Sequence, residues 1–477
     1  MKNPIDRLRQ ILQSTLGRWQ RALSRFLSGM RYRLRESGWA RLPSLERLRT
    51  AELPRLRRQA RTRTDRNIWH LYVETFWAGI FMAAIAFNAT YALRLGASNT
   101  QIGWLSSIPS LLAMVVLVPA ARFLERQSDR APYIRRSLFI GRAAFVGAAI
   151  APWILPRHAA EVVIAVLILR SIPMQFYSAG FTPLLADIIP VRDRALVIAN
   201  RSIIQGATTA ISTYLFGKWM DAAAQIPWAR FPVNYQIVYL IGTVAGVLSA
   251  YFVSRIEVPK TPVIEHPRPR LQMPKLRELR EKLVRLAHEN QGFVRITINT
   301  FVFNIGAWLV GPLYMIFFVR QLNASDSWVG LNTTVAQVGV IVGYLLWRAV
   351  MEQRGTDWTL RFTVPMAASY AFLVALFPNL SLILVWGIVI NVINSGVNLA
   401  HGTMLYDLCP PEQRATYLAI YATLSNVGAF AAPMLGVALS EWIDIRWILI
   451  AGGAIRLIGA GLFHLYPVKA AGDTHDA

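Results

Sequence analysis

The sequence predicts an all-α, polytopic integral membrane protein with twelve transmembrane helices in two pseudo-symmetric six-helix halves. Three observations carry this. Hydrophobic residues make up 54 % of the 477 and charged residues only 16 %, where soluble globular chains carry about 25 % charged. From residue 69 onward, apolar runs follow one another with short breaks. Each is long enough to cross about 30 Å of hydrocarbon, which takes roughly 20 residues at 1.5 Å each. Finally, the chain repeats itself, and self-similarity fixes the architecture as a duplicated unit.

The repeat is specific. Leu185, Asp187, Pro190, Arg194, Ala195 and Ala199 return 220 positions later as Leu405, Asp407, Pro410, Arg414, Ala415 and Ala419. Ala97, Ser98, Gly103 and Glu125 return at a spacing of 227 as Ala324, Ser325, Gly330 and Glu352. The seven-residue difference is what one loop insertion would leave.

Residues 1–68 carry eighteen Lys or Arg against five Asp or Glu, a net +13 within a total of +24. Ile5, Leu8, Leu12, Leu16, Trp19, Leu23, Phe26 and Met30 recur at three- and four-residue steps, with arginines between them. That is a basic amphipathic helix. It either docks on anionic lipid headgroups, at about 1 kcal/mol per basic residue near the surface, or serves only to enforce orientation. It has no long apolar core or small-residue cleavage site, so it is expected to be retained.

The spans are placed at 69–94, 100–123, 134–155, 160–189, 195–217, 234–254, 293–319, 326–348, 359–377, 380–405, 414–438 and 443–466. Backbone groups in lipid must bond internally, and runs without strict alternation exclude a barrel, so the spans are helices. They group as a half over 69–254 and a half over 293–467, joined by a proline-containing linker at 255–292 and followed by a tail at 468–477. The connections at 122–136, 190–194, 348–361 and around 414 carry eleven Lys or Arg, and the linker carries nine. The alternate connections carry Arg157, Lys218, Arg230 and Arg320. By the positive-inside rule both termini and the linker are cytoplasmic. Six lysines against forty-four arginines is the usage of a GC-rich bacterial genome, which makes the expected location a bacterial cytoplasmic membrane.

Two six-helix halves, a long central loop and repeat signatures after the second and fourth spans together resemble the major facilitator superfamily over residues 69–467. The family motif between spans two and three has the form Gly-x-Leu-x-Asp-Arg-x-Gly-Arg-Arg. Here Arg126 and Arg130 match, Glu125 replaces the aspartate, and Ala121 and Ser128 replace the glycines. The resemblance implies a secondary transporter working by alternating access, with the first, fourth, seventh and tenth helices lining a central cavity. Gly428 to Gly436, with Pro433, resembles an antiporter motif that family members carry in the fifth helix, here displaced to the eleventh.

Polar groups in mid-membrane are expensive unless they face water or a partner. Four spans carry such stripes at helical spacing: Glu74, Trp77, Phe81, Asn88 and Tyr91 in the first; Arg170 and Tyr177 in the fourth; Thr297, Thr300, Asn304 and Trp308 in the seventh; Asn391, Asn394, Asn398 and His401 in the tenth. They either line a wet cavity or hydrogen-bond between packed helices. Arg170 needs an anionic substrate, a carboxylate or backbone carbonyls as partner. Glu74 is the candidate proton carrier, because a carboxylate moved between wet and dry settings changes its affinity for protons. Arg142, Arg201, Arg295 and Arg456 are expected to snorkel toward the cytoplasmic face. Glu125, Arg126, Arg130, Asp187, Arg194, Glu352, Asp407 and Arg414 are candidates for a cytoplasmic gate, against the alternative of simply stopping helices.

The seven histidines and one cysteine form no catalytic constellation, metal spacing or nucleotide loop, so neither an enzyme nor a cofactor is expected. The positive charge is not clustered on a nucleic-acid-binding fold, so no nucleic-acid partner is expected. The expected partners are a small-molecule substrate and membrane lipids, and the expected state is a monomer. Lipid handling or sensing on the same fold is the alternative.

Overall fold

The computed structural model describes residues 63–258, apart from 128, and 290–466, apart from 411 and 412. The segment 1–62, the central part of the linker and the tail beyond 466 lie outside the described residues, and with them the amphipathic helix read near the N-terminus. Among the described residues there are helices and no strands.

Twelve long helices run in chain order: α1 (Arg63–Arg94), α2 (Asn99–Glu125), α3 (Ala131–Ile154), α4 (Pro156–Ile188), α5 (Val191–Ala223), α6 (Val233–Ser254), α7 (Gln291–Gln321), α8 (Asp326–Arg354), α9 (Thr356–Leu376), α10 (Leu380–Leu408), α11 (Arg414–Leu439) and α12 (Ile445–Leu465). Eleven are long and apolar enough to cross a membrane. The twelfth, α5, has 33 residues, and its apolar character is diluted by Asn200, Arg201, Gln205, Thr208, Thr209, Ser212 and Thr213. Short connections make successive helices antiparallel. The ends of α2, α4, α6, α8, α10 and α12 and the starts of α3, α5, α7, α9 and α11 therefore gather at one face, the linker end, and the ends of α1, α3, α5, α7, α9 and α11 with the starts of the even-numbered helices at the far end.

Local chemistry explains the interruptions. α4 breaks at Arg170 between Ala159–Leu169 and Ser171–Ile188. Pro173 has no N–H for the carbonyl four residues back, and the Ser171 hydroxyl donates to Ile168 O at 2.5 Å within the broken turn. The far-end turns between α1 and α2 and between α7 and α8 each pass through the left-handed region, at Gly96 (φ +90°) and Asn323 (φ +51°). These are residue types that tolerate it, and they are 227 apart. Ser98 and Ser325 then cap α2 and α8, accepting from the backbone N–H of Gln101 at 3.1 Å and of Trp328 at 3.2 Å. The 227-residue repeat is thus a turn and cap built twice.

The halves meet along two seams, α5 with α8 and α2 with α11, while α10 and the second piece of α4 pack mainly within their own halves. Gly217 and Gly330 let α5 and α8 touch backbone to backbone. A Cβ on Gly217 would sit 2.6 Å from Asp326 O, and one on Gly330 2.5 Å from Thr213 O. Thr334 Oγ1 donates to Ala210 O across this seam at 2.8 Å. On the other seam Gly103 faces Val437. The apolar cores follow the same division. One joins both halves through Phe87, Tyr91, Ile102 and Tyr235 with Leu313, Phe317, Trp328 and Val437. The other, around Phe293, Leu360, Met404 and Tyr417, belongs to the C-terminal half alone.

Gly330→Val is expected to lower stability by about 1–3 kcal/mol through overpacking, read as a lower unfolding temperature in detergent. Gly461→Ala, whose Cβ would meet nothing within 4 Å, is expected to unfold as the unaltered protein does. Equal unfolding of the two variants would contradict the α5–α8 contact.

Candidate translocation site

Two related clamps close the far end. Arg94, at the end of α1, donates through Nη2 to Ala324 O at 3.2 Å and to Asp326 Oδ1 at 3.1 Å. Arg320, at the end of α7, donates to Ala97 O and to Asn99 Oδ1. Ala97 and Asn99 are the 227-spaced counterparts of Ala324 and Asp326. Each arginine therefore grips the start of the second helix of the opposite half. Asp326 is 6 % exposed and also accepts from Tyr235 Oη at 2.5 Å. Asp221 of α5 caps α8 by accepting from Asp326 N at 3.1 Å and Ser327 N at 3.0 Å. On the second seam Asn99 donates to Ser440 Oγ at 3.2 Å and Thr100 to Glu441 Oε1 at 2.7 Å. Arg94, Asp221, Tyr235 and Asp326 were not singled out by sequence reasoning. The available signal was the 227-residue repeat, whose members Ala97, Ser98, Ala324 and Ser325 stand beside Arg94 and Asp326.

Inside the N-terminal half lies a cluster of charges. Glu74 of α1 is 2 % exposed. Its Oε2 pairs with Arg201 Nη2 of α5 at 2.9 Å, and its Oε1 accepts from Ser249 Oγ of α6 at 3.1 Å. Arg201 Nε also donates to Thr75 Oγ1 at 2.8 Å. Arg142 of α3 is 6 % exposed, lies 4.3 Å above the Phe81 ring centre, and has no partner for Nε or Nη1. Arg170 lies 5.3 Å from the same ring and 5.7 Å from that of Phe145. Its one described hydrogen bond is Nε to Gly141 O at 3.2 Å. Tyr177 stacks on Phe181 with centroids 4.7 Å apart.

Three of the four arginines expected to snorkel do otherwise. Arg142 and Arg456 turn into the bundle, with Arg456 at 7 % exposure and 4.4 Å above the Phe303 ring. The reason is room on a neighbouring helix. A Cβ on Gly246 would lie 3.1 Å from Arg142 Cδ, and one on Gly306 2.8 Å from Arg456 Cγ. Cation–π attraction, about 2 kcal/mol when desolvated, then holds each guanidinium on its ring. Arg201 is taken up by Glu74, and only Arg295 stays exposed, 3.5 Å from Gln291 Oε1.

The stripes divide by partner. On α1, Phe81 and Tyr91 are buried against Phe145, Tyr235 and Tyr239, and Asn88 Oδ1 accepts from Tyr239 Oη at 2.8 Å. This face turns into the N-terminal half. Trp77 is half-buried beside Phe76, 5.4 Å between centroids. On α7, Thr297 and Thr300 are buried with unpartnered hydroxyls, Asn304 is half-buried, and Trp308 lies over Gly428 of α11, where no side chain would fit. On α10, Asn391 donates to its own Gly387 O at 2.8 Å. Asn394 is half-buried and Asn398 exposed, and His401 tilts against Tyr421 of α11 with an unpartnered Nε2. α10 packs on α8 and α9 through a different face, where Trp347 Nε1 donates to Val392 O at 2.8 Å and Ser395 Oγ to Val340 O at 3.2 Å.

A sequence profile described as Major Facilitator Superfamily matches residues 75–291 and 296–476. The chain belongs to this superfamily. An uncharacterised transporter of Schizosaccharomyces pombe is 28 % identical over 148 residues, 30 % of this chain and 30 % of its own length. The chain thus matches under a third of the curated relative. A bacterial homologue of the human lysosomal transporter Spinster, solved inward-facing and unoccupied, superposes with a TM-score of 0.62 at 14 % identity, covering 85 % of this chain and 97 % of its own. A bacterial homologue of the iron transporter ferroportin, solved inward-facing, gives 0.65 at 10 % identity, with 84 % and 98 % covered.

The superfamily's loop motif falls at the linker end. Glu125 and Arg126 are exposed at the end of α2. Arg130 pairs with Asp187 at the end of α4, and Arg194 donates to Ala186 O at 2.9 Å. In the other half Glu352 pairs with Arg348 at 3.2 Å, Asp407 is exposed, and the Arg414 guanidinium lies 6.0 Å from the Tyr406 ring. Each of these contacts stays inside one half.

Glu74→Gln leaves Arg201 without its carboxylate in a buried setting and is expected to destabilise on the order of 3 kcal/mol. Glu74→Gln with Arg201→Met removes both charges and is expected to recover most of that loss in the same unfolding measurement. A double variant no better than the single would show that the pair is not the source.

Proposed function

We propose that this chain is a secondary transporter that moves a small organic solute by alternating access of its two halves, and that the structure represents its inward-facing state. The observation that carries the reading is the distribution of contacts between halves. Both arginine clamps and the side-chain bonds that join α5 to the start of α8 and the start of α2 to the end of α11 lie toward the far end, while the described charged pairs of the linker end remain within single halves. A path open at one end and bolted at the other is one of the two states that alternating access needs.

The excess of basic residues in the linker-end connections assigns that end to the cytoplasm. Arginine-rich, lysine-poor usage favours a bacterial cytoplasmic membrane. Trp77, Arg170, Tyr177, Asn304, Asn394, Asn398 and His401 are half-buried or exposed on helices of both halves, which suits groups that line the path. Glu74, buried on α1 and paired with Arg201, is the proposed proton-coupling residue. One chain carries both halves, so a monomer is sufficient.

The test is flux. In a Cys409→Ser background, Thr100→Cys with Glu441→Cys places a cross-linkable pair across the far end, where the native side chains are 2.7 Å apart. In liposomes under a pH gradient, a panel of sugars, organic acids and amphipathic cations is expected to include a compound that moves. Its movement is expected to stop on cross-linking and resume on reduction. Undiminished flux in the cross-linked protein would overturn alternating access, and silence across the panel would overturn solute transport.

A further inference from the structure

We infer that Arg142 and Arg170 form an anion site in the N-terminal half, which takes the oxyanion, carboxylate or phosphate, of a small organic solute. Calling that solute the cargo rests on the transport reading above; the site itself does not.

The argument begins with a charge count. The cluster holds three guanidiniums, Arg142, Arg170 and Arg201, and one carboxylate, Glu74. Glu74 is committed to Arg201 on one oxygen and to Ser249 on the other, so two positive charges stay without a bonded anion. A buried charge is tolerated when paired and hydrogen-bonded. Yet Nε and Nη1 of Arg142 meet no acceptor, and the Nη nitrogens of Arg170 carry no described bond. The two also repel each other, being close enough to interact and gathered around one Phe81 ring. Rings hold cations, but they do not satisfy N–H donors.

Geometry favours a ligand over a structural bond. Arg142 is closed off at 6 % exposure, whereas Arg170 is half-buried at the break that Pro173 imposes on α4. Its Nε is fixed on Gly141 O, which leaves the terminal nitrogens as the accessible donors. An oxyanion entering beside Arg170 would meet a fork of N–H groups with a second positive charge behind it, the arrangement that guanidinium groups use for carboxylate and phosphate. Tyr177, about two turns further along α4 and stacked on Phe181, offers a ring surface to the rest of the solute.

The measurement is thermal unfolding of the full chain in nanodiscs of neutral phosphatidylcholine at constant chloride, with benzoate, succinate or methyl phosphate added at millimolar concentration. Benzamide and tetraethylammonium serve as neutral and cationic controls. At least one oxyanion is expected to raise the unfolding temperature by several degrees, and the controls are expected to leave it unchanged. Arg142→Met is expected to abolish the shift while unfolding no earlier than the unaltered protein without ligand, because it removes an uncompensated charge. Arg170→Lys is expected to keep part of the shift and Arg170→Met none, which provides a second route if Arg142→Met fails to fold.

The site is overturned if no oxyanion shifts the unaltered protein, or if the shift survives both methionine variants. A shift from phosphatidylglycerol discs that soluble methyl phosphate does not reproduce would overturn the solute and assign the site to lipid headgroups. Anion binding without flux would sink the transport reading and leave the site standing. Flux of neutral solutes alone, untouched by Arg142→Met, would leave the transport reading standing and overturn the anion as its cargo.

Discussion

One carboxylate holds the far end together. Asp326 takes hydrogen bonds from Arg94 of α1 and Tyr235 of α6, and its own backbone N–H is held by Asp221 of α5. Four helices from both halves converge on one residue. An ion pair gains strength as water is excluded, yet each partner alone in that setting is unfavourable. Arg94 is exposed and Asp326 buried, so taking this contact apart means bringing water to Asp326.

The interior of the N-terminal half follows a different logic. Membrane helices gain little from apolar contact with one another, since lipid is equally apolar, so small residues and polar contacts set how they pack. Gly246 leaves the room that Arg142 fills, and Phe81 accepts the charge that lipid would refuse. Glu74 then distributes its two oxygens between α5 and α6, tying three helices at one point. Among its described residues the C-terminal half has Arg456 on Phe303 as the buried counterpart, and it carries amides and hydroxyls on α7 and α10. The two halves share an ancestor and a topology, but they hold their charge differently.

Much of this was legible in the sequence, and the reason is physical. Hydrocarbon thickness sets span length, so the helices were found to within a few residues, and α5 was found despite its polar content. The repeat was legible too, although its meaning was not. Ala97, Ser98 and Gly103 with their counterparts proved to be a turn, a cap and a seam contact, and nothing local says which of these a matching residue serves. Asp326 went unnoticed because an acid after a serine cap reads as suited to a helix N-terminus, while its partners lie 91 and 232 residues away. Periodicity identifies a helical face but not the direction in which it turns: Phe81, Asn88 and Tyr91 share a face, and that face points into the half. The fate of Arg142 and Arg456 depended on a glycine of another helix, which the residues around each arginine do not reveal.

Divergence between the two clamps carries the synthesis one step further. At the α5–α8 seam the repeat places Asp326 and Asp221, with Tyr235 added and glycine against glycine. At the α2–α11 seam the same positions hold Asn99 and Glu441, with Val437 where α5 has Gly217. The first is buried, charged and in backbone contact, whereas the second is wetter and rests on single side-chain bonds. Glu441 is exposed and Asn99 half-buried, so exchanging their bonds for water changes little, while Asp326 is buried and must be rehydrated. The far-end contacts between the halves are therefore unequal, with the buried charge on one side of an otherwise two-fold arrangement. Duplication kept the positions, and divergence put the buried carboxylate on the α5–α8 seam and amide and hydroxyl contacts on the other.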